Sequence, residues 1–225
     1  MNQQLTRKIT FPSADPEINL SGHHFLPANA PQAADNLVCV LVHPWGILGG
    51  SQANTVPIAR ALAEQHGLEC LTFDLRGVGN SAGSATYTCV AEIQDAIGAC
   101  AWVSTNLKKS CVLVGSSAGA AIAGSALDKV GTCVGYIGIG YTFGKVAGLV
   151  FGSHFQAIVN SPKPKLFIMG DSDGFTSVKQ LECKITSMVN AQFSLIPGVG
   201  HFALESGNYT DNVAELIAKF VVNLM

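Results

Sequence analysis

A serine flanked by two glycines lies where a strand pattern gives way to a helix pattern. The residues Gly115-Ser116-Ser117-Ala118-Gly119 directly follow the apolar run CVLV and lead into AGAAIAGSAL, a run of small residues suited to a helix. This G-x-S-x-G pattern is typical of a sharp strand-to-helix turn that exposes a nucleophilic serine. The first N–H groups of the helix would stabilise negative charge beside that serine. The pattern predicts Ser117 as a nucleophile; the alternative is a turn that only packs the helix on its strand.

The same pattern occurs a second time and serves as an internal control. Gly79-Asn80-Ser81-Ala82-Gly83 also reads G-x-S-x-G. It begins several residues after a strand pattern that ends at Asp74, and it runs into GSATYT, which is unlike the start of a helix. Ser81 is therefore predicted to be a loop residue. Ser116, beside the favoured serine, is expected to point elsewhere in a turn of this kind.

A serine hydroxyl needs a base to remove its proton, and one histidine is placed for that task. His201 lies in the Gly-rich segment PGVGHFAL, between a predicted strand and the last predicted helix. We predict it as the base, with the alternative that it only caps this loop by hydrogen bonds. Histidines outside the predicted catalytic loops are expected to be structural or on the surface: His23, His24, His66 and His154.

The base in turn needs a carboxylate that orients it. The predicted strand 133–139 ends in GIGYTFG, which contains no carboxylate, whereas the strand 164–169 ends in Gly170-Asp171-Ser172-Asp173-Gly174. Asp173 is favoured because it lies further into the loop, where its side chain can reach the loop of His201. Asp171 is the alternative, although an aspartate so close to a strand end more often makes turn hydrogen bonds.

Two backbone N–H groups are expected to bind the oxyanion of a tetrahedral intermediate. One is the N–H of Ala118, directly after the nucleophile. The second should come from the loop after strand 37–43, which reads His43-Pro44-Trp45. Because proline has no N–H, Trp45 is the predicted donor, while its indole could equally form a pocket wall or pack in the core. His43 is expected to orient this loop and to lie beside the pocket.

Strand patterns alternate with helix patterns along the chain, and this predicts right-handed βαβ units and a parallel sheet. The inner strands are apolar without alternation, as expected when helices cover both faces. We therefore predict an α/β fold, a three-layer α/β/α sandwich with a mostly parallel, twisted sheet. The predicted strands are 5–11, 18–26, 37–43, 68–74, 110–115, 133–139, 164–169 and 191–196, and the predicted helices are 53–66, 88–106, one from 117, 175–190 and 210–224.

Composition excludes several classes of function. With 13 Lys and Arg against 15 Asp and Glu in 225 residues, the chain has no basic stripe for nucleic acid. Its apolar runs are too short to span a membrane, and its start lacks the apolar segment of a secretory signal. The seven cysteines form no CxxC and no metal-ligand cluster, so we expect buried thiols, no metal and an intracellular, reducing compartment, the cytoplasm.

These residues together resemble the α/β-hydrolase superfamily from about residue 37 onward. The order Ser117, Asp173, His201 matches that family's triad, Gly170-x-x-Asp173 its acid loop, and Gly200-His201-Phe202 its histidine loop. The segment 74–81 (DLRGVGNS) is similar to its D-x-R-G-x-G-x-S loop. Two departures concern substrate class: His43-Pro44 replaces a frequent His-Gly pair, and Ala118 follows the serine where a group of small relatives often has an aromatic residue.

The resemblance implies a single domain over 1–225, with a short cap-like connector at about 141–162 and a shallow, open site. It implies a serine hydrolase of the esterase or thioesterase type that needs no cofactor and acts on a small-molecule acyl substrate, neutral or apolar. Candidate pocket residues are His43, Tyr141, Phe143, Phe155, Phe175 and Phe202, with Trp45 and Phe151 as further walls. A serine-dependent acyltransferase and a non-enzymatic small-ligand receptor or interaction module on the same fold remain alternatives.

Overall fold

Eight strands form one sheet in a computed structural model that describes residues 6–27, 36–143 and 154–224. The order across the sheet is β1-β2-β4-β3-β5-β6-β7-β8. The six strands from β4 to β8 in this order run parallel, whereas β2 is antiparallel to both of its neighbours. The strands are β1 Thr6–Pro12, β2 Asn19–Phe25, β3 Leu37–Val42, β4 Glu69–Phe73, β5 Ser110–Ser116, β6 Cys133–Ile139, β7 Lys165–Gly170 and β8 Ala191–Ile196.

Helices cover both faces of this sheet, which confirms the predicted three-layer α/β/α architecture. Helices α1 and α6 pack together on one face, and α2 and α3 pack together on the other. The helices are α1 Val56–Gln65, α2 Glu92–Trp102, α3 Ala118–Ala126, α4 (154–160), α5 Val178–Ile185 and α6 Thr210–Val222.

Two helices, α2 and α5, are each eight residues shorter than their patterns predict, and the late start of each has a local cause. Helix α2 begins at Glu92 instead of residue 88 because Cys89 has a φ of 55°, a left-handed conformation that an α-helix cannot contain. Helix α5 begins after Ser177, whose hydroxyl accepts a hydrogen bond from the N–H of Gln180 in a capping box. The residues before that cap instead form the loop that follows β7.

The central strands are buried along almost their whole length, as their unbroken apolar runs predict. Every residue of β3, β4 and β7 is buried, while the edge strand β8 is largely exposed or half-buried. Six of the seven cysteines are buried, four of them in β3, β4, β5 and β6, and Cys183 on α5 is exposed. The described helices include none with both the length and the apolar character needed to cross a bilayer.

The parallel strands end at one edge of the sheet, and the predicted catalytic loops all follow such ends. Ser117 follows β5, Asp173 follows β7, and His201 follows β8. Since β5, β6, β7 and β8 are neighbours in that order, the three loops meet along a short stretch of this edge. Open parallel sheets bind ligands at this edge.

Candidate active site

Ser117 lies at a sharp turn between the end of β5 and the first residue of α3. Its φ of 53° and ψ of −119° are strained for a residue with a side chain. A Cβ on Gly115 would collide with the backbone of Gly119 and Ala120, and a Cβ on Gly119 would collide with the carbonyl oxygens of Val42 and His43. Glycine at both positions therefore lets the turn pack against β3 and present the Ser117 hydroxyl.

The structure brings the three predicted side chains together in a continuous line of hydrogen bonds. The Oγ of Ser117 lies 3.0 Å from Nε2 of His201, and Nδ1 of His201 lies 2.7 Å from Oδ2 of Asp173. If Nδ1 carries the proton and donates it to Asp173, Nε2 is left as an acceptor for the serine proton. His201 and Asp173 are buried and Ser117 is half-buried, so the line is largely shielded from water.

Asp173 is held as a carboxylate by its surroundings. Its Oδ1 accepts hydrogen bonds from the N–H groups of Phe175 (2.7 Å) and Thr176 (2.9 Å). Burial alone would raise the pKa of Asp173, but the hydrogen bond and charge of His201 and these two N–H groups outweigh it and lower the pKa below the ordinary value. The alternative acid, Asp171, is exposed and accepts the N–H of Gly198 (2.7 Å), as a turn residue does.

His43 supports the loop after β3, which is predicted to supply the second oxyanion donor. This imidazole is fully buried: its Nε2 accepts the N–H of Leu75 (3.0 Å), and its Nδ1 lies 2.6 Å from the carbonyl oxygen of Pro44. Burial lowers the pKa of His43, which favours the neutral ring that these two bonds require. His43 thus lies beneath the loop and not on the pocket surface. Trp45 is half-buried, and its indole N–H donates to the carbonyl of Thr86 (3.3 Å).

The predicted pocket aromatics fall into two groups. Tyr141 is buried in the core and stacks on the half-buried Phe143 with ring centres 4.2 Å apart, and Phe155 lies against Phe143 at 5.3 Å. Phe175 and Phe202 instead flank His201 and are 47% and 79% exposed. The connector predicted at about 141–162 includes residues 144–153, which lie outside the described residues, as does Phe151.

A carboxylate that the sequence patterns did not indicate contacts Ser116, the residue before the nucleophile. The hydroxyl of Ser116 donates a hydrogen bond to Oε1 of Glu205, and Glu205 ends the short helical turn His201–Glu205. Ser116 therefore points away from the catalytic line, as predicted, but toward an ionisable group. Only its spacing of four residues from His201 could have drawn attention to Glu205, because the contact joins segments 89 residues apart.

Thr176 was also missed, and it ties the acid loop to the segment after β6. Its hydroxyl donates to the carbonyl of Tyr141 (3.0 Å) and accepts the N–H of Phe143 (2.8 Å).

The serine of the second G-x-S-x-G motif makes structural contacts. The Ser81 hydroxyl donates to the carbonyl of Asp74 (2.6 Å) and accepts the N–H of Ser21 (2.9 Å). Within the described ranges, no group of three or more His, Cys, Asp or Glu side chains is arranged to hold a metal ion.

Comparison with solved structures finds the same fold over nearly the whole chain. A serine hydrolase homologue from Coxiella burnetii is 23% identical, with 97% of each chain covered and a TM-score of 0.78. A serine hydrolase without lid from Xanthomonas campestris is 20% identical, with 100% of this chain and 97% of that chain covered and a TM-score of 0.80. Est1E from Butyrivibrio proteoclasticus, solved with ferulic acid bound, is 16% identical, with 96% and 99% covered and a TM-score of 0.75.

Sequence comparison gives the family directly. No curated protein sequence matches this chain. A family model does match, over residues 39–161, and its description is the alpha/beta hydrolase family. The match spans more than half of the chain and includes the turn that presents Ser117, and it supports a hydrolase. The chain belongs to the alpha/beta hydrolase family.

Proposed function

We propose that this protein is a serine hydrolase that cleaves small neutral or apolar esters or thioesters. The observation that carries the proposal is the unbroken line from Ser117 through His201 to Asp173, with contacts of 3.0 Å and 2.7 Å. Such a line is what nucleophilic catalysis by serine requires. The start of α3 beside Ser117 adds the N–H groups that favour developing negative charge.

In the first half of the reaction, Oγ of Ser117 attacks the carbonyl carbon while Nε2 of His201 takes the hydroxyl proton. The N–H groups of Ala118 and Trp45 bind the oxyanion of the tetrahedral intermediate. His201 then donates its proton to the leaving oxygen or sulfur, the bond to the acyl carbon breaks, and an acyl-Ser117 ester remains. Asp173 holds the imidazole and stabilises its charged form during both transfers.

In the second half, His201 removes a proton from water as the water attacks the acyl carbon. The bond between that carbon and Oγ of Ser117 breaks, the proton returns to Oγ, and the carboxylic acid leaves. A neutral substrate is favoured because the described catalytic loops after β5, β7 and β8 contain no lysine or arginine that could pair with an anionic group. The esterase type of activity is also in keeping with the hydrolases that share this fold.

The test compares two serines that share one motif. Wild type, Ser117→Ala and Ser81→Ala are treated with a fluorophosphonate probe and assayed on p-nitrophenyl esters of increasing acyl length. We expect labelling and turnover in wild type and Ser81→Ala, and a loss of about 10³-fold or more in kcat in Ser117→Ala. Absence of labelling in folded wild type would contradict the proposal and favour a ligand-binding role. Products formed with added alcohols distinguish hydrolysis from acyl transfer.

A further inference from the structure

Two exposed phenylalanine rings meet at a right angle beside His201. The ring centre of Phe175 lies 4.5 Å from that of His201, and the ring centre of Phe202 lies 5.2 Å from it. The two phenylalanine rings are 5.7 Å apart with an interplanar angle of 89°. Phe202 is 79% exposed and Phe175 is 47% exposed, so both present apolar surface to solvent. We call these two rings the aromatic corner.

The position of the aromatic corner relates it to one part of a substrate. In the proposed mechanism, Nε2 of His201 delivers a proton to the leaving atom, so that atom must come within hydrogen-bond reach of the imidazole. Any group attached to the leaving atom then lies next to the rings that flank His201. The acyl group extends from the opposite side of the carbonyl carbon. Adjoining apolar rings exposed beside a catalytic group are suited to contact a bound ligand.

Resting on the proposed function, we propose that the aromatic corner binds the leaving group and selects esters of apolar alcohols that carry an aromatic ring. A ring placed against Phe202 would pack edge-to-face or offset, as aromatic pairs prefer, and would remove the exposed faces from water. The aromatic corner would thus set preference on the alcohol side, independently of acyl length. The N–H of Phe175 donates to Oδ1 of Asp173, which anchors the Phe175 backbone beside the imidazole of His201.

The test uses alcohols of similar acidity, so that chemical reactivity does not create the preference. Benzyl acetate is compared with ethyl acetate for wild type, Phe202→Ala and a control, Phe193→Ala, which makes the same change on strand β8. We expect wild type to prefer benzyl acetate by about 10-fold or more in kcat/KM, the range that one aromatic contact and its buried area provide. Phe202→Ala should lose most of that preference, and Phe193→Ala should keep it.

The outcomes separate this inference from the proposed function. Equal kcat/KM for benzyl and ethyl acetate in an active wild type would overturn the aromatic corner alone. The same would follow if Phe202→Ala lowered kcat/KM for both esters by the same factor, because the ring would then support the whole site and not the leaving group alone. A folded wild type that hydrolyses neither ester and binds no fluorophosphonate would overturn both. Acyl preference, measured with ethyl acetate and ethyl hexanoate, should be equal in wild type and Phe202→Ala.

An independent observation concerns Glu205, the carboxylate that contacts Ser116. Glu205 joins two segments: it accepts a hydrogen bond from Ser116 at the end of β5, and it ends the turn that begins with His201. Burial raises the pKa of Glu205, although the hydrogen bond of Ser116 acts in the opposite direction. The catalytic mechanism itself makes no use of this group.

We infer that Glu205 is a positioning residue that fixes the His201 turn against the Ser117 turn. Its hydrogen bond with Ser116 joins the residue before the nucleophile to the turn that carries the base. This tether would hold Nε2 of His201 within reach of Oγ of Ser117, the distance on which the proton transfer depends.

Glu205→Ala and Ser116→Ala test the two ends of this tether. Each should lower kcat by about 10-fold and leave KM within about twofold, because the catalytic groups are displaced while the substrate-binding surface is kept. Glu205→Gln, which can still accept the hydrogen bond of Ser116, should restore most of kcat. The control is Glu215→Ala on α6, which removes an exposed carboxylate paired with Lys219. A kcat within about twofold of wild type in Glu205→Ala would overturn the inference, as would a Glu205→Gln variant no more active than Glu205→Ala.

Discussion

Two buried histidine–carboxylate pairs lie at opposite edges of the same sheet, and only one of them faces a serine. His201 and Asp173 (2.7 Å) lie where parallel strands end, whereas His24 and Glu69 (2.5 Å) lie where β4 begins. Glu69 also binds Lys109, just before β5, and the His24 ring packs edge-on against Trp102. The pair itself is therefore no sign of chemistry; the turn and helix start beside His201 are what distinguish it.

The largest expected difference between the two pairs is in activity. Asp173→Asn should lower kcat by about 10³- to 10⁴-fold, because the amide no longer selects the imidazole tautomer or stabilises its charge. Glu69→Gln, the same kind of change in the other pair, should leave kcat within about twofold. Steady-state kinetics of both variants check this. A similar loss in both would mean that the second pair also serves the reaction.

The second expected difference is in stability. Glu69→Gln should lower the free energy of unfolding by about 2–4 kcal/mol, because His24 and Lys109 lose a buried anionic partner. Burial opposes ionisation of Glu69, but the hydrogen bonds and charges of His24 and Lys109 outweigh it, so its pKa is lowered. The stabilisation is therefore present above the ordinary glutamate pKa and is lost as the pH falls through the lowered one.

Denaturant unfolding of wild type and Glu69→Gln across this pH range measures that effect. The difference in unfolding free energy should be full near neutral pH and should shrink in acid. Arg76→Gln serves as a reference for the loss of a different ion pair, because Arg76 pairs with the buried Asp95 at 2.8 Å in another part of the molecule. A difference that grows in acid would contradict the assignment of the stabilisation to ionised Glu69.

A third way to sharpen the comparison is the pH dependence of catalysis. The value of kcat/KM should fall about 10-fold per pH unit on the acid side, because a protonated base cannot accept the serine proton. Asp173, with its lowered pKa, stays ionised over this limb and should add no second step. Glu69→Gln should leave the limb in place. A slope of two in wild type would show that a second proton is involved.

The smallest expected effect concerns two buried tyrosines. The hydroxyl of Tyr136 donates to the carbonyl of Ala120 (2.8 Å), whereas that of Tyr141 has no hydrogen-bond partner within the described residues. Tyr136→Phe should cost about 1–2 kcal/mol in the free energy of unfolding, because it leaves that contact unmade. Tyr141→Phe should be neutral or slightly stabilising. Thermal unfolding of both variants measures the difference, and a larger cost for Tyr141→Phe would contradict it.

Much of the fold could be predicted from local patterns. Strands with unbroken apolar runs were placed to within about one residue, because burial on both faces leaves a signal in every position. The three loops that carry Ser117, Asp173 and His201 could be chosen because parallel strands bring their carboxyl ends to one edge. The catalytic roles of these residues stay predictions until the variants are measured.

Contacts between distant segments could not be predicted in this way. His24 and Glu69 are 45 residues apart, and Ser116 and Glu205 are 89 residues apart. Hydrophobic periodicity gives the face of a strand or helix, but it carries no information on which polar side chain lies opposite. The fully buried position of His43 is of the same kind, because it depends on the Leu75 backbone, which comes from another strand end.

The positions of the thiols allow local opening of the fold to be followed by chemical modification of cysteine. In the folded chain, a thiol reagent meets only Cys183, whereas unfolding exposes six more. Because Cys39, Cys70, Cys111 and Cys133 lie in four neighbouring strands, their modification rates report separately on how often the middle of the sheet opens. Counting modified cysteines over time therefore maps local stability with no added label, and variants of either histidine pair can be compared on the same scale.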